Sequence, residues 1–158
     1  MMIGKMSGIF LSLGSNLGNR RNNLYYVINE IKKHRLITVE KVSSFYNTSP
    51  LGEKKQPDFI NAVIQIKTRL TPDALLFFIK SLEKKIGREK IKKWGARIAD
   101  IDIIFYNDLV VKKHGLIIPH PEVKNRLFVL NPLIEIAKDL AYPGEGIKIA
   151  DLIKKLKK

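Results

Sequence analysis

Trp94-Gly95-Ala96-Arg97-Ile98-Ala99-Asp100-Ile101-Asp102-Ile103-Ile104-Phe105 opens as a glycine-containing loop with an aromatic and a cation, and ends as a run of alternating character. Successive side chains of a strand point to opposite faces. Asp100 and Asp102 are therefore expected on one face, with Ile101, Ile103 and Phe105 on the other. At the rise of an extended chain the two carboxylates start roughly 6.6 Å apart. They can converge on one cation, or on two cations ~3.5–4 Å apart as in two-metal phosphoryl sites. The competing reading is a half-buried strand whose outer face carries two aspartates, with Arg97 or a solvated edge supplying the compensating charge. Oxygen donors suit a hard cation such as Mg²⁺. Zinc is disfavoured in a chain with no cysteine and three histidines.

The 158 residues fit one ordinary domain, residues 1–158, with 1–7 expected to be a disordered or extended N-terminus. A hydrophobic share of 45% with 28% charged residues reads as globular. The lack of cysteine removes disulfides and thiolate catalysis, and suits a reducing compartment. Met1–Gly8 is too short and weakly apolar for a signal peptide, and no apolar run approaches the ~18 residues of a membrane span. A soluble, cytoplasmic protein is expected. The net charge of +14, from 29 basic and 15 acidic residues, invites nucleic acid, an anionic membrane or a polyanionic small molecule. Much of it is lysine scattered over helix faces, so charge alone does not choose.

Outward from the opening stretch, Gly8–Leu13 sets Ile9, Leu11 and Leu13 against Phe10 and Ser12, and reads as a strand. Gly14-Ser15-Asn16-Leu17-Gly18-Asn19 reads as a turn with Asn19 as helix cap. The following helix has its apolar stripe at Leu24, Val27, Ile28 and Ile31. Leu36–Tyr46 reads as one strand, then a polar loop, Asn47 to Asp58, too long for a tight hairpin. Phe59–Thr68 is a strand with Ile60, Ala62, Ile64 and Ile66 on one face and Phe59, Asn61 and Val63 on the other. Thr71-Pro72 starts a helix striped with Leu75, Leu76, Ile79, Leu82 and Ile86, with Glu83 near its Gly87 end. Arg88 to Lys93 is a basic loop leading to the aspartates. Beyond it lie Val110, Val111 and Leu116–Ile118, then His120 between two prolines, Arg126 and Phe128, a short helix from Asn131-Pro132 to Ala137, and a last amphipathic helix.

The order β-α-β-β-α-β plus C-terminal additions is an α+β, ferredoxin-like pattern: an antiparallel sheet with helices on one face. The other face is expected to stay open for a ligand. Asp100, Asp102, Phe59 and Asn61 all lie opposite the apolar faces of their strands, and so share that open side. An aromatic and an amide two residues apart make a stacking surface beside a two-way hydrogen-bonder; a strand end with one exposed Asn is the plainer alternative.

Five blocks in order resemble the 6-hydroxymethyl-7,8-dihydropterin pyrophosphokinases of the folate pathway. They are Leu13-Gly14-Ser15-Asn16-Leu17-Gly18, Val42 to Thr48, Gln56-Pro57-Asp58-Phe59-Ile60-Asn61-Ala62, Trp94 to Asp102, and Pro119-His120-Pro121 through Arg126 to Leu130. The resemblance implies transfer of pyrophosphate from ATP to the pterin hydroxymethyl group, releasing AMP. It implies two Mg²⁺ ions with ATP, held by Asp100 and Asp102, and places Arg88 and Arg97 with those aspartates among the catalytic residues. ATP contacts would come from Glu83, Arg88, Lys90, Trp94, Arg97, Ile103, His120 and Arg126. The pterin would lie between Phe59 and Phe128, hydrogen-bonded by Asn61, in a pocket completed by Thr48, Pro50, Leu51 and Trp94. The loops Leu51–Asp58 and Gly87–Ala96 would act as lids.

The chain departs from the family pattern at Ala96, Ile98 and Ala99 in the closing loop, where Pro, Thr and Leu are usual. It also lacks a basic residue at Gly115 and a hydroxyl residue at Ile117. Two other readings are an RNA-binding sheet and an inactive scaffold. The aromatic RNA-binding strand signature is absent, and two aspartates on the open face oppose phosphate unless a metal covers them. Small-molecule partners are expected, with neither nucleic acid nor membrane, and a monomer with a weak dimer as the alternative.

Overall fold

A computed structural model of the chain describes residues 7–49, 57–87 and 98–157. Its elements are β1 (Ile9–Ser15), α1 (Arg20–Lys32), β2 (Ile37–Val42), β3 (Tyr46–Thr48), β4 (Phe59–Thr68), α2 (Pro72–Gly87), β5 (Asp100–Tyr106), β6 (Val111–Lys113), β7 (Leu116–Ile118), α3 (Leu127–Ile136) and α4 (Ile149–Leu156). The main sheet runs β2-β4-β1-β5, with β3 pairing β4 beyond β2. Every neighbouring pair in it is antiparallel. Helices α1 and α2 thus each connect two strands with a third lying between them, the arrangement the βαββαβ pattern predicts.

Local chemistry sets the two long helices. Asn19 lies outside the helical region and accepts from Asn22 N–H at 3.1 Å, so it caps α1. The stripe Leu24, Val27, Ile28 and Ile31 is fully buried. Thr71 Oγ1 accepts from Ala74 N–H at 3.2 Å at the start of α2, which buries Leu75, Ile79 and Leu82. Both stripes close on Ile9, Leu11 and Leu13 of β1 and on Ile60, Ala62, Ile64 and Ile66 of β4, forming the main core.

Four elements differ from the sequence reading. Strand β1 continues through Gly14 and Ser15, which pair with Asn61 and Ile60, so the turn begins later. The expected strand Leu36–Tyr46 is two strands. Between them Ser43 is buried, donates its N–H to Val63 C=O at 2.9 Å, and accepts Val63 N–H on its hydroxyl at 2.9 Å. A side chain there replaces a backbone carbonyl, so the ladder breaks.

In β5, Leu11 pairs with Ile103 but Phe10 with Phe105, leaving Ile104 as an extra residue. Such a bulge reverses the alternation beyond it. Phe105 therefore lies on the aspartates' side of the sheet, not with Ile101 and Ile103. There it meets Phe10 edge-on, ring centroids 6.3 Å apart, and Tyr142 at 5.5 Å. Helix α3 begins at Leu127, with Pro132 inside it rather than at its start. Burial of Val129, Leu130 and Leu133 outweighs the missing amide of Pro132.

The second face is consequently not open along its whole length. Helices α3 and α4 cover one end of it, packing on Phe10, Val63, Ile104 and Phe105 as a second core. The remaining end, around Ser12, Gly14, Asn61 and Asp102, stays accessible. Residues 111–118 form the small hairpin β6-β7.

Candidate active site

The uncovered end of the sheet floors a cavity of about 210 Å³ lined by Ser12, Gly14, Thr48, Ser49, Phe59, Asn61, Asp100, Asp102, Arg126 and Phe128. Register explains the grouping. Asn61 pairs with Gly14 on one side and Tyr46 on the other, Asp102 pairs with Ser12 and Asp100 with Gly14. Directly opposed residues of an antiparallel pair face the same way. Phe128 reaches the cavity from the first turn of α3, with the Arg126 guanidinium 5.6 Å from its ring centroid.

Asn61 is nearly buried, and its Nδ2 donates to Thr48 Oγ1. Its Oδ1 faces Gly14 so closely that a Cβ built there would lie 2.8 Å from it. Only glycine leaves that amide in place. The backbone before Phe59 is tied down as well. Arg20 Nη1 donates to Asp58 C=O at 2.7 Å, and Asn16 Nδ2 donates to Pro57 C=O at 3.3 Å.

A second cavity, of about 230 Å³, is lined by Leu76, Lys80, Asp102, Ile103, Gly115, Leu116, Ile117, His120 and Pro121. Asp102 lines both cavities. Burial, reinforced by the charge of Asp100, pushes the Asp102 carboxyl above its ordinary range, against the pull of His120, Lys80 and Arg126. His120 follows the cis Ile118–Pro119 bond and donates its backbone N–H to Ile104 C=O at 3.0 Å. Its Nδ1 accepts from Glu122 N–H at 3.2 Å. The neutral ring therefore carries its proton on Nε2, the atom 4.0 Å from Asp102 Oδ1.

Asp100 and Asp102 are two hard donors on one strand face. Among the described residues no group of three His, Cys, Asp or Glu converges on a metal position. Two carboxylates suit Mg²⁺, which keeps waters and takes substrate phosphates as its other ligands. The half-buried, mutually repelling pair is also the local charge that a divalent cation would balance.

Of the residues expected at a site, Thr48, Phe59, Asn61, Asp100, Asp102, Arg126 and Phe128 line the first cavity, and Ile103, His120 and Asp102 the second. Arg126 thus shares a cavity with the aromatic pair, although it was expected on the nucleotide side. Glu83 lines neither of the two. It accepts Ile101 N–H at 2.7 Å and pairs with Lys80 at 3.1 Å, bracing the start of β5. Burial raises its pKa, while the Ile101 bond and Lys80 oppose that rise. Pro50, Leu51, Arg88, Lys90, Trp94, Ala96 and Arg97 lie outside the described residues, as do most of both expected lids and residues 1–6. Ala99 packs against the main core.

The sequence reading passed over Ser12 and Gly14 in the first cavity and Leu76, Lys80 and Leu116 in the second. For Ser12 and Gly14 the signal was available: both alternate with Ile9, Leu11 and Leu13. Lys80 lies one helical turn before Glu83. Gly115 and Ile117, two of the departures from the family pattern, also line the second cavity.

Comparison with known proteins follows the same lines. The family model for 7,8-dihydro-6-hydroxymethylpterin-pyrophosphokinase (HPPK) matches residues 10–138. A 2-amino-4-hydroxy-6-hydroxymethyldihydropteridine pyrophosphokinase of Bacillus subtilis (strain 168) is 40% identical over 131 residues, 83% of this chain and 78% of that protein. The chain belongs to the 7,8-dihydro-6-hydroxymethylpterin-pyrophosphokinase family. The bifunctional protein FolKE of Lactococcus lactis subsp. lactis (strain IL1403) is 47% identical over 138 residues, which are 87% of this chain but 40% of that protein. The chain thus spans less than half the length of that relative. The crystal structure of Plasmodium falciparum HPPK-DHPS wild type with pteroate covers 98% of this chain with a TM-score of 0.74. Here too only 43% of the other chain is matched, and at 16% identity the likeness is one of fold.

Proposed function

We propose that this chain transfers pyrophosphate from ATP to the hydroxymethyl group of 6-hydroxymethyl-7,8-dihydropterin, giving the pterin diphosphate and AMP, as a step of folate biosynthesis. The observation that carries the reading is the pair of cavities meeting at Asp102, one walled by Phe59, Asn61 and Phe128 and the other by Ile103 and His120. Two substrates that exchange a group need adjoining pockets, and carboxylates at their junction can hold the cations that offset phosphate charge, which supports the reading.

In this reading Phe59 and Phe128 stack on the flat heterocycle, and Asn61 Oδ1 accepts from its amino edge while Thr48 fixes the amide's other end. The nucleotide occupies the second cavity, with Ile103 against its base or sugar and the Nε2–H of His120 directed to the phosphate side. Asp100 and Asp102 would hold two Mg²⁺ ions, which when bound neutralise phosphate charge. The hydroxyl oxygen attacks the β-phosphorus, a new O–P bond forms, and the bond to the α–β bridging oxygen breaks so that AMP leaves. The hydroxyl proton passes to solvent. Such a transfer asks for positioning and charge neutralisation more than for a strong base. Arg88, Arg97 and Lys90 are assigned to the phosphates, Glu83 and Arg126 to the nucleotide side, Pro50 and Leu51 to the pterin pocket, and Trp94 to closure over the site. A single domain over 1–158, acting as a cytoplasmic monomer without nucleic acid or membrane, completes the reading. Among the described residues no helix is long and apolar enough to cross a membrane.

A product assay tests it: protein, ATP, Mg²⁺ and 6-hydroxymethyl-7,8-dihydropterin, with nucleotides separated by chromatography. AMP is expected one-for-one with pterin diphosphate. ADP would make the chain a simple kinase, and no product despite tight Mg-ATP binding would make it a scaffold.

A further inference from the structure

Strand β3 is a short edge piece. Among the described residues it pairs only through Tyr46, Asn47 and Thr48, opposite Asn61, Ile60 and Phe59. Yet Thr48 holds the Asn61 amide, so any drift of β3 moves the most specific polar group of the first cavity. Three ladder positions hold such an edge weakly.

What secures it comes from the opposite wall. The Glu135 carboxylate on α3 accepts from Ser44 N–H at 3.0 Å, from Ser44 Oγ at 2.7 Å and from Tyr46 OH at 2.7 Å. A carboxylate offers about four lone-pair positions, so these donors nearly fill it. Close by, Lys41 Nζ donates to Ile136 C=O at 3.1 Å, a second tie from the sheet to the end of α3. Glu135 is seven residues from Phe128, two turns along the same helix and so on the same face. One face of α3 thus carries both the aromatic wall of the cavity and the group that grips β3.

We propose that Glu135 is a positioning residue for the pterin pocket: by clamping Ser44 and Tyr46 to α3 it fixes the gap between Phe128 and the Thr48–Asn61 edge. The proposal rests on the proposed function, which supplies the flat ligand the gap must fit. Glu135 and Ser44 are both exposed, so water can replace the lost bonds and folding should suffer little when they are removed. A flat heterocycle held between two rings is, by contrast, sensitive to the width of the gap. A helix-docking contact without a positioning role would lower stability and affect both ligands alike.

The test is calorimetry on the full chain. 6-Hydroxymethyl-7,8-dihydropterin is titrated into protein saturated with Mg²⁺ and α,β-methylene-ATP, and the nucleotide analogue is titrated alone. Glu135→Ala is expected to weaken pterin binding about tenfold and the analogue less than twofold, the scale on which sub-ångström misplacement is felt. Glu135→Gln keeps one acceptor oxygen and should recover part of the loss. Tyr46→Phe, which removes one bond of the clamp, should give a smaller loss of the same kind and serves if Glu135→Ala does not fold. Unchanged pterin affinity in the variants, or equal losses for both ligands, would overturn the positioning role while leaving the function standing. Failure of the unmodified protein to bind the pterin would instead bring down the function, and this role with it.

Discussion

The two ends of the sheet face that carries Asp102 belong to the same strands, yet one is core and the other floors the candidate site. At one end Phe10, Val63 and Phe105 are buried beneath α3 and α4. A few residues along the same strands the face carries Ser12, Gly14, Asn61 and Asp102 and bounds a cavity. The pairing of β1 with β4 is continuous through both, and the β1–β5 pairing is broken between them only by the bulge that turns Phe105 onto this face, so side-chain volume and polarity decide the difference. Large apolar groups attract the C-terminal helices. A glycine, a hydroxyl, an amide and two carboxylates leave those helices nothing apolar to cover. Under the proposed function stability and chemistry are segregated along one surface, and substitutions at the two ends should fail in opposite ways.

The largest expected effect is at the polar end. Asp102→Asn should lower turnover by ~10³-fold, the scale of losing one preorganised electrostatic partner of a transition state. The same change should not weaken the fold. Because burial and Asp100 raise the folded pKa of Asp102, its contribution to stability is present below the ordinary carboxylate pKa and lost as pH rises through the raised value. At neutral pH the wild type bears that loss, and the amide does not. Thermal melts without metal should show Asp102→Asn at or above the wild-type midpoint at pH 7.5, the advantage disappearing in acid. A variant that loses both activity and stability at neutral pH would refute the separation.

The covered end should behave inversely. Ile149 of α4 is fully buried in the second core and lines neither cavity. Ile149→Ala should destabilise by about 3 kcal/mol, read from the shift of a urea midpoint. Turnover per folded molecule should remain close to wild type. A tenfold fall in turnover at full folding would mean that the two ends are coupled through α3.

What the sequence disclosed follows the range of the interactions involved. The α1 stripe and the shared face of Asp100 and Asp102 are periodicities within one element, and both were legible. So were Asn19 and Thr71 as caps, which act over three residues. The bulge at Ile104 was not, because it exists only relative to the partner strand, where Phe10 meets Phe105. The early start of α3 was hidden for the same reason: the apolar surface that stabilises Leu127–Asn131 as helix comes from β1, β4 and β5. The family resemblance supplied roles for Phe59, Asn61 and Phe128, but not the supports that hold them. Ser44 and Glu135 are 91 residues apart, and no local pattern announces their contact.

Gly14 gives the smallest and most local test of the division. Its φ is not in the left-handed region, so alanine brings no backbone strain and, lying in a strand, should be neutral or mildly favourable to folding. The objection to alanine is spatial: its Cβ would lie 2.8 Å from Asn61 Oδ1, with Phe59 Cδ1 at 3.5 Å. Asn61 must then give way, and because Thr48 holds its other end the amide cannot simply slide. Gly14→Ala should therefore weaken pterin binding about tenfold, or ~1.4 kcal/mol, with the thermal midpoint and the affinity for Mg-ATP nearly unchanged. Calorimetry with each ligand reads both quantities. Parallel losses for the two ligands would mean that the methyl group disturbs the β1–β5 pairing and reaches Asp100. A loss confined to the pterin would show that a single missing Cβ at the polar end of the face is what makes room for the amide that reads the substrate.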